Sequence, residues 1–306
     1  MGLEGEGPHR PRFHAALRGL TLTWNSFTQP RPSQHLRQRR QKDSIRMRKL
    51  RIVTINIHKG FSWGNRRFIL HRLREAIRSV DADIVFLQEV VGKNSTRAQE
   101  HSNWPAQAQH EFLADSVWKY SSYGKNAFYP DGHHGNAILS KFPILHSEQI
   151  DTSTNRFEQR GFLYCAVSIP GRAKPLHCLC IHLGLFAASR RKQLRMQADY
   201  INLCIPREGP IIMAGDFNDW RGRGVDDFAQ LVGMKNSSIE VTGRLARTFP
   251  ARVPVLPLDR IYLRGLTAKS SKTHNKGIWK KLSDHAALFV EGELPKESTL
   301  LQASRA

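Results

Sequence analysis

At Gly215-Asp216-Phe217-Asn218 an acid and an amide stand at the end of the apolar run Ile211-Ile212-Met213-Ala214. Other polar groups hold the same kind of position. Asn56 interrupts Thr54-Ile55-Asn56-Ile57, Glu89 closes Asp83-Ile84-Val85-Phe86-Leu87-Gln88, and His182 closes Cys180-Ile181. Ser283-Asp284-His285 leads into Ala286-Ala287-Leu288, and Asp259 sits in Leu258-Asp259-Arg260-Ile261. Carboxylates supply the hard oxygens that a small divalent cation prefers, and Asp and His exchange a proton with a water being activated. Each residue also has a plainer reading alone. An Asp-x-Asn after a strand makes a side-chain-capped turn, Glu89 could face solvent, and Asn56 could be a satisfied core amide. His182 could be structural, Asp259 could pair with Arg260, and Ser283 could cap a helix. As a set, they are the types needed to hold a divalent metal and activate water.

The elements that must position them follow from periodicity. Leu50–Ile57 alternates as a β-branched strand, and Asp83–Val91 reads as a second buried strand. Phe68, Ile69, Leu73, Ile77 and Val80 recur at helical spacing, predicting a helix over Asn65–Val80 with Asn65 as its cap. A helix is expected around His110–Trp118, then strands at Asn136–Ser140, Gly161–Ile169 and Leu176–Leu183. Ser189–Ile205 carries Leu194, Ala198, Ile201 and Ile205 on one helical face. Its first turns hold Arg190, Arg191, Lys192 and Arg195, where the helix dipole would prefer acids. Pro210–Asp216, Leu258–Leu263 and His285–Val290 complete the strands. The elements lack a strict βαβ rhythm, which favours mixed or antiparallel sheets. Residues 1–48 are expected to be a basic disordered extension, with Met47 as an alternative start. Residues 49–292 form one domain and 293–306 a tail.

The order and local contexts of these residues resemble the endonuclease/exonuclease/phosphatase superfamily, the metal-dependent phosphoesterases that include pancreatic deoxyribonuclease. Beyond the segments above, Gly135-Asn136-Ala137-Ile138-Leu139-Ser140-Lys141-Phe142-Pro143-Ile144 resembles its GNAxLSRxPI strand, and Glu158-Gln159-Arg160-Gly161 the segment before the next core strand. The NIHKG, GHHGNA and GDFNDW segments at 56–60, 132–137 and 215–220 are most similar to a bacterial single-domain branch. The resemblance covers about residues 50–291. It implies an α+β fold, a four-layer α/β/β/α sandwich of two mixed, mainly antiparallel sheets flanked by helices. It further implies that Glu89 and Asp284 hold Mg²⁺, with Mn²⁺ as a substitute, and that Asn56 orients Glu89 or joins the metal shell. Asp216, fixed by Asn218, would polarise the attacking water; His285, oriented by Asp259, would donate to a phosphate oxygen. His182 and Glu158 would form a second His–acid pair that assists the leaving group. Asn136, Arg160 and Trp220 are the implied substrate contacts.

The substrate is less legible. Ile57-His58-Lys59-Gly60 departs from the abasic-site endonucleases, and Pro257-Leu258-Asp259 lacks the Trp-Cys of the inositol polyphosphate phosphatases. The net charge is +21, of which residues 1–48 contribute +7 (ten Lys/Arg against three acids) and the rest +14. An anionic partner is expected. The function expected is a nuclease-like Mg²⁺-dependent hydrolase of phosphodiester bonds. A phospholipid or sphingomyelinase-like phosphodiesterase or phosphatase is the alternative, and an inactive binding protein the third reading. The four cysteines include no CxxC pair, as in a reducing compartment. No run approaches the ~18 apolar residues of a membrane span. A cytoplasmic monomer is expected, with peripheral attachment to a membrane as an option.

Overall fold

The computed structural model describes residues 48–155, 158–221 and 225–295. The expected basic extension, apart from Arg48, and the tail beyond 295 lie outside the described residues. In chain order the elements are β1 (Arg48–Asn56), α1 (Leu70–Ser79), β2 (Ile84–Asn94), α2 (Ser95–Glu100), α3 (Gln109–Ala114), β3 (Tyr120–Tyr129), β4 (Gly132–Ser140), β5 (Ile144–Asp151), β6 (Gly161–Val167) and β7 (Leu176–His182). They continue as α4 (Ala187–Cys204), β8 (Ile211–Asp216), α5 (Val225–Leu231), β9 (Lys235–Asn236), α6 (Ser237–Thr242), β10 (Asp259–Arg264), β11 (Thr267–His274) and β12 (Ala287–Leu294).

The strands form two six-stranded sheets, ordered β11-β12-β1-β2-β4-β3 and β5-β6-β7-β8-β10-β9. Each sheet is antiparallel except for one central parallel pair, β1 with β2 and β7 with β8. Alternation along the strands builds the layers. Leu50 and Ile52 of β1 and Ile212 and Ala214 of β8 point into one shared core between the sheets. Val53 and Ile55 face the other way, onto Leu70, Leu73 and Ile77 of α1 and Phe112 of α3. Ile211 and Met213 face Leu194, Ala198 and Ile201 of α4 and Phe228 of α5. Central strands buried on both faces read as unbroken apolar runs, which is why they were legible. Burying each such Ile or Leu contributes roughly 1.5–3 kcal/mol. The α+β sandwich of two mixed sheets flanked by helices is the observed fold.

Several boundaries shift from expectation, two of them for reasons visible in the backbone and the pairing. The first helix starts at Leu70, not Asn65, because Gly64 and Asn65 both adopt left-handed backbone and the chain turns there before Phe61 bridges Phe68. Glu293 and Leu294, assigned to the tail, extend β12 and pair with Lys49 and Arg48.

Candidate active site

The chemistry-bearing residues arrive at one end of the sandwich from both sheets. Parallel pairing sets His182 beside Asp216, and antiparallel pairing sets Asp259 on the other side of Asp216. Gly215 is required there: a Cβ would lie 1.9 Å from the Ile181 carbonyl oxygen. On the first sheet, β2 bulges between Leu87 and Val90, and Glu89 takes a left-handed φ of 56°. The bulge turns the carboxylate out of the strand's alternation at a cost of order 1 kcal/mol.

Asp216 Oδ2 is the point of convergence. It accepts from Asn56 Nδ2 at 3.2 Å and lies 3.7 Å from Nε2 of both His182 and His285. Asp216 Oδ1 accepts the Asn218 N–H at 2.9 Å. His285 Nδ1 bonds Asp259 Oδ2 at 2.8 Å. Asn56 Nδ2 also reaches Glu89 Oε1 at 3.2 Å, so one amide spans the two carboxylates. Ser283 Oγ donates to the Asn56 carbonyl at 2.7 Å and accepts the His285 N–H, holding the segment that carries Asp284 and His285 against β1.

Burial raises the pKa of Asp216, the neighbouring Asp259 adds to it, and His285 opposes, leaving it near neutrality at about 7. Burial works against a charge on His285, but Asp259 and Asp216 outweigh it and raise its pKa to about 10. The shared proton therefore resides on His285, with Asp259 holding Nδ1–H and Nε2 directed at Asp216. His182 is the opposite case: burial, reinforced by the Arg160 guanidinium, keeps it neutral. Burial also opposes the Glu89 carboxylate, yet adjacent positive groups and the Asn56 amide hold it at about 2. Lys59 Nζ lies 3.8 Å from Glu89 Oε2. Asp284 has His58 3.3 Å away.

Two sets of donors could hold a cation. Asp216, Asp259 and His285 present ligand atoms within 4.8 Å of one another. A protonated imidazole bonded to Asp259 is a poor ligand, however. Glu89 and Asp284 fit a hard cation better: both are partly exposed carboxylates, with Lys59 3.8 Å from the first and His58 3.3 Å from the second.

Several expected residues sit elsewhere. Glu158 does not pair with His182; its Oε1 accepts the Leu185 N–H at 2.8 Å and Arg160 Nη2 at 3.3 Å. The guanidinium beside His182 draws the carboxylate to itself. Asn136 is fully buried and donates to the Gly161 and Cys180 carbonyls across the sheets, so it is a tie and not a substrate contact. Asn56 keeps the place expected of it: its Nδ2 bridges Glu89 and Asp216 and its Oδ1 accepts the His58 N–H. Asn218 holds Asp216 through its backbone; its side chain donates to Leu183 O. Arg160 lies at the edge of a cleft of about 280 Å³ with Lys125 and Gln149. Trp220 is half exposed, under the Arg190 guanidinium.

Asp219 was missed as a positioning group. It is buried between Arg190 and Arg260, 3.8 and 3.7 Å away, and anchors the loop after Asp216. Arg190, the misplaced cation of the sequence, was the available signal: it folds back onto Gly184 O, Leu185 O and Asp219.

Two packed mixed sheets with an acid, two imidazoles and an amide converging at one end define a phosphoesterase-type sandwich. The chain belongs to the endonuclease/exonuclease/phosphatase family, hydrolases of phosphoester bonds, whose model matches residues 53–285. The uncharacterised protein YbhP of Escherichia coli strain K12 is 45% identical over 249 residues, spanning 81% of this chain and 98% of that one. Among solved structures, an endonuclease/exonuclease/phosphatase from Beutenbergia cavernae superposes with a TM-score of 0.63 at 18% identity, covering 81% of this chain and 72% of that one. D. rerio TDP2 complexed with a single-stranded DNA product gives 0.58 at 22% identity, covering 80% and 98%. These structures share the fold. Among the described residues no helix is long and apolar enough to cross a membrane.

Proposed function

We propose that this protein hydrolyses phosphodiester bonds by attack of a water that Asp216 deprotonates. The observation that carries this reading is the convergence on Asp216 Oδ2 of the Asn56 amide and the imidazoles of His182 and His285. Glu89 and Asp284 would hold a divalent cation such as Mg²⁺, which, when bound, offsets charge on the phosphate oxygens. Asn56 orients Glu89 and Asp216 together. His285, protonated and fixed by Asp259, donates to the phosphate oxygen that gains charge. His182, neutral, presents Nε2 on the same carboxylate, and Arg160 behind it adds positive charge.

Net positive charge favours an anionic polymer or surface, and the likeness to TDP2 makes nucleic acid one candidate substrate class. The test is a screen of the purified chain against bis(p-nitrophenyl) phosphate, single- and double-stranded DNA, RNA and phospholipid vesicles. Turnover should vanish with chelator and return with Mg²⁺ or Mn²⁺. Chelator-resistant turnover, or full activity in Asp216→Asn, would overturn the reading.

A further inference from the structure

The mouth of the site is ringed by apolar side chains that the fold holds out into solvent. Leu185 and Phe186, 55% and 68% exposed, follow directly on the strand that ends at His182. Trp220 follows the Asp216 loop and is about half exposed. Val253, 70% exposed, tips a loop whose base is bonded to the site, through Ala251 N–H to Asp284 O and Ala286 N–H to Thr248 O. Exposed Trp63 stacks on Phe249, whose ring packs 5.0 Å from that of His285. These tips are not loose ends. The Leu185 backbone is clamped by Glu158 Oε1 on its N–H and Arg190 Nη1 on its carbonyl, and the same guanidinium lies 5.3 Å from the Trp220 ring. Each tip also has an exposed arginine near it in the chain: Arg66 after Trp63, Arg191 after Phe186, Arg221 after Trp220, Arg252 before Val253.

We infer that this ring docks on an anionic phospholipid bilayer and that the substrate is a phospholipid phosphodiester presented at that surface. The inference rests on the phosphodiesterase reading above. Apolar tips flanked by cations match the boundary where acyl chains meet anionic headgroups. Leu185 and Val253 have no π-face, so two of the five tips offer a nucleic-acid base no stacking surface. With the tips seated among the headgroups, a phosphodiester lies at the level of Asp216. Water adds across one P–O bond, giving a phosphomonoester and an alcohol, with no change in oxidation state.

The test uses the full chain and its Leu185→Ser/Phe186→Ser double variant, which keeps the basic extension and all residues of the site. Sedimentation is measured with vesicles of phosphatidylcholine alone and with added phosphatidylglycerol, at about 0.15 M salt. The wild type should pellet with the anionic vesicles, and the double variant should bind roughly tenfold more weakly. The variant should keep its melting temperature and its turnover of bis(p-nitrophenyl) phosphate, while losing turnover of vesicle lipid. Equal pelleting of the two proteins, or no preference for anionic vesicles, overturns the inference. So does a parallel loss of single-stranded DNA cleavage in the variant, which would assign the ring to nucleic acid. Asp216→Asn separates the two readings: it should still pellet with vesicles while losing all turnover. A wild type that cleaves the soluble diester but ignores vesicles sinks only the present inference. One that binds vesicles but cleaves no phosphoester sinks the reading beneath it.

Discussion

Asp216 is useful because its surroundings disagree about its charge. Burial and Asp259 push its proton on, while the His285 imidazolium, the Asn218 N–H and the Asn56 amide pull it off. A base poised in this way should account for a large part of the rate. Asp216→Asn and His285→Ala are each expected to lower kcat by about 10²–10⁴ on a soluble diester. The double variant should be little worse than either single one, since residues acting as a unit are not additive. Steady-state kinetics on all three would show it, and additive losses would separate their roles. Glu89→Gln tests the cation site by a different readout. The Mg²⁺ concentration for half-maximal activity should rise about 10–100-fold, with the far-ultraviolet spectrum unchanged. Residue type and strand-end position put Asp216, His285 and Glu89 among the candidates, each with a plainer reading beside it, and the order of the motifs along the chain assigned their expected roles. It misjudged Asn136 and the partner of Glu158, because an amide or acid serves a backbone group, a cation or a ligand equally well; for Asn56 the first of its two expected roles, orienting Glu89, is the one its hydrogen bond supports. Only the partner, which lies 25 or more residues away in each cross-sheet bond of Asn136, decides among them.

At the scale of elements, what could be read from the sequence follows burial on two faces. Central strands such as β1, β7 and β8 were plain as apolar runs. Four strands went unanticipated: β3, β5, β9 and β11. All are sheet edges; β5 (ILHSEQID) is mostly exposed along its length and β11 (TAKSSKTH) is half-buried. An edge strand that is half solvated carries no clean hydrophobic period, and its charges protect it from pairing with other chains. The parallel β7–β8 pair yields a sharp expectation of its own. Gly215→Ala would drive a methyl into the Ile181 carbonyl, so it should destabilise by about 3 kcal/mol or more, seen as a lowered urea midpoint. A second expectation concerns His177 on β7, buried and bonded to the Tyr164 hydroxyl at 2.8 Å. Burial, with help from Arg264, lowers its pKa from 6.5 to about 4. The fold therefore favours neutral His177. Its contribution is complete above pH 6.5 and is lost as the pH falls from there through about 4, because the unfolded chain takes up the proton first. The loss is at most about 1.4 kcal/mol per unit of pH. His177→Gln should flatten the acid limb of the melting temperature between those values; an unchanged slope would mean that the imidazole is solvated.

At the scale of the molecule, the site belongs to neither sheet. Asn56, Glu89, Asp284 and His285 come from the β1–β2–β12 side, whereas His182, Asp216 and Asp259 come from the β7–β8–β10 side. The chemistry therefore depends on how one sheet is set upon the other. Apolar packing between them is adaptable, and hydrophobic residues of similar size can slide with little loss. Directional bonds fix the setting, and they lie just below the site. Asn136 of β4 donates to Gly161 and Cys180 of the opposite sheet; Gln88 donates to Cys180 Sγ, which in turn reaches Leu87 O. Asn136→Ala removes the strongest of these ties at a fully buried position and leaves two carbonyls without that partner. Stability should fall by roughly 1–3 kcal/mol. Activity should fall further than that loss explains, at least tenfold in kcat at temperatures where the variant is fully folded, because a shift of about 1 Å between reacting groups is costly. The Mg²⁺ dependence should be unchanged, since Glu89 and Asp284 move together on one sheet. A variant that loses stability yet keeps the wild-type kcat would show instead that the apolar core alone aligns the two halves of the site.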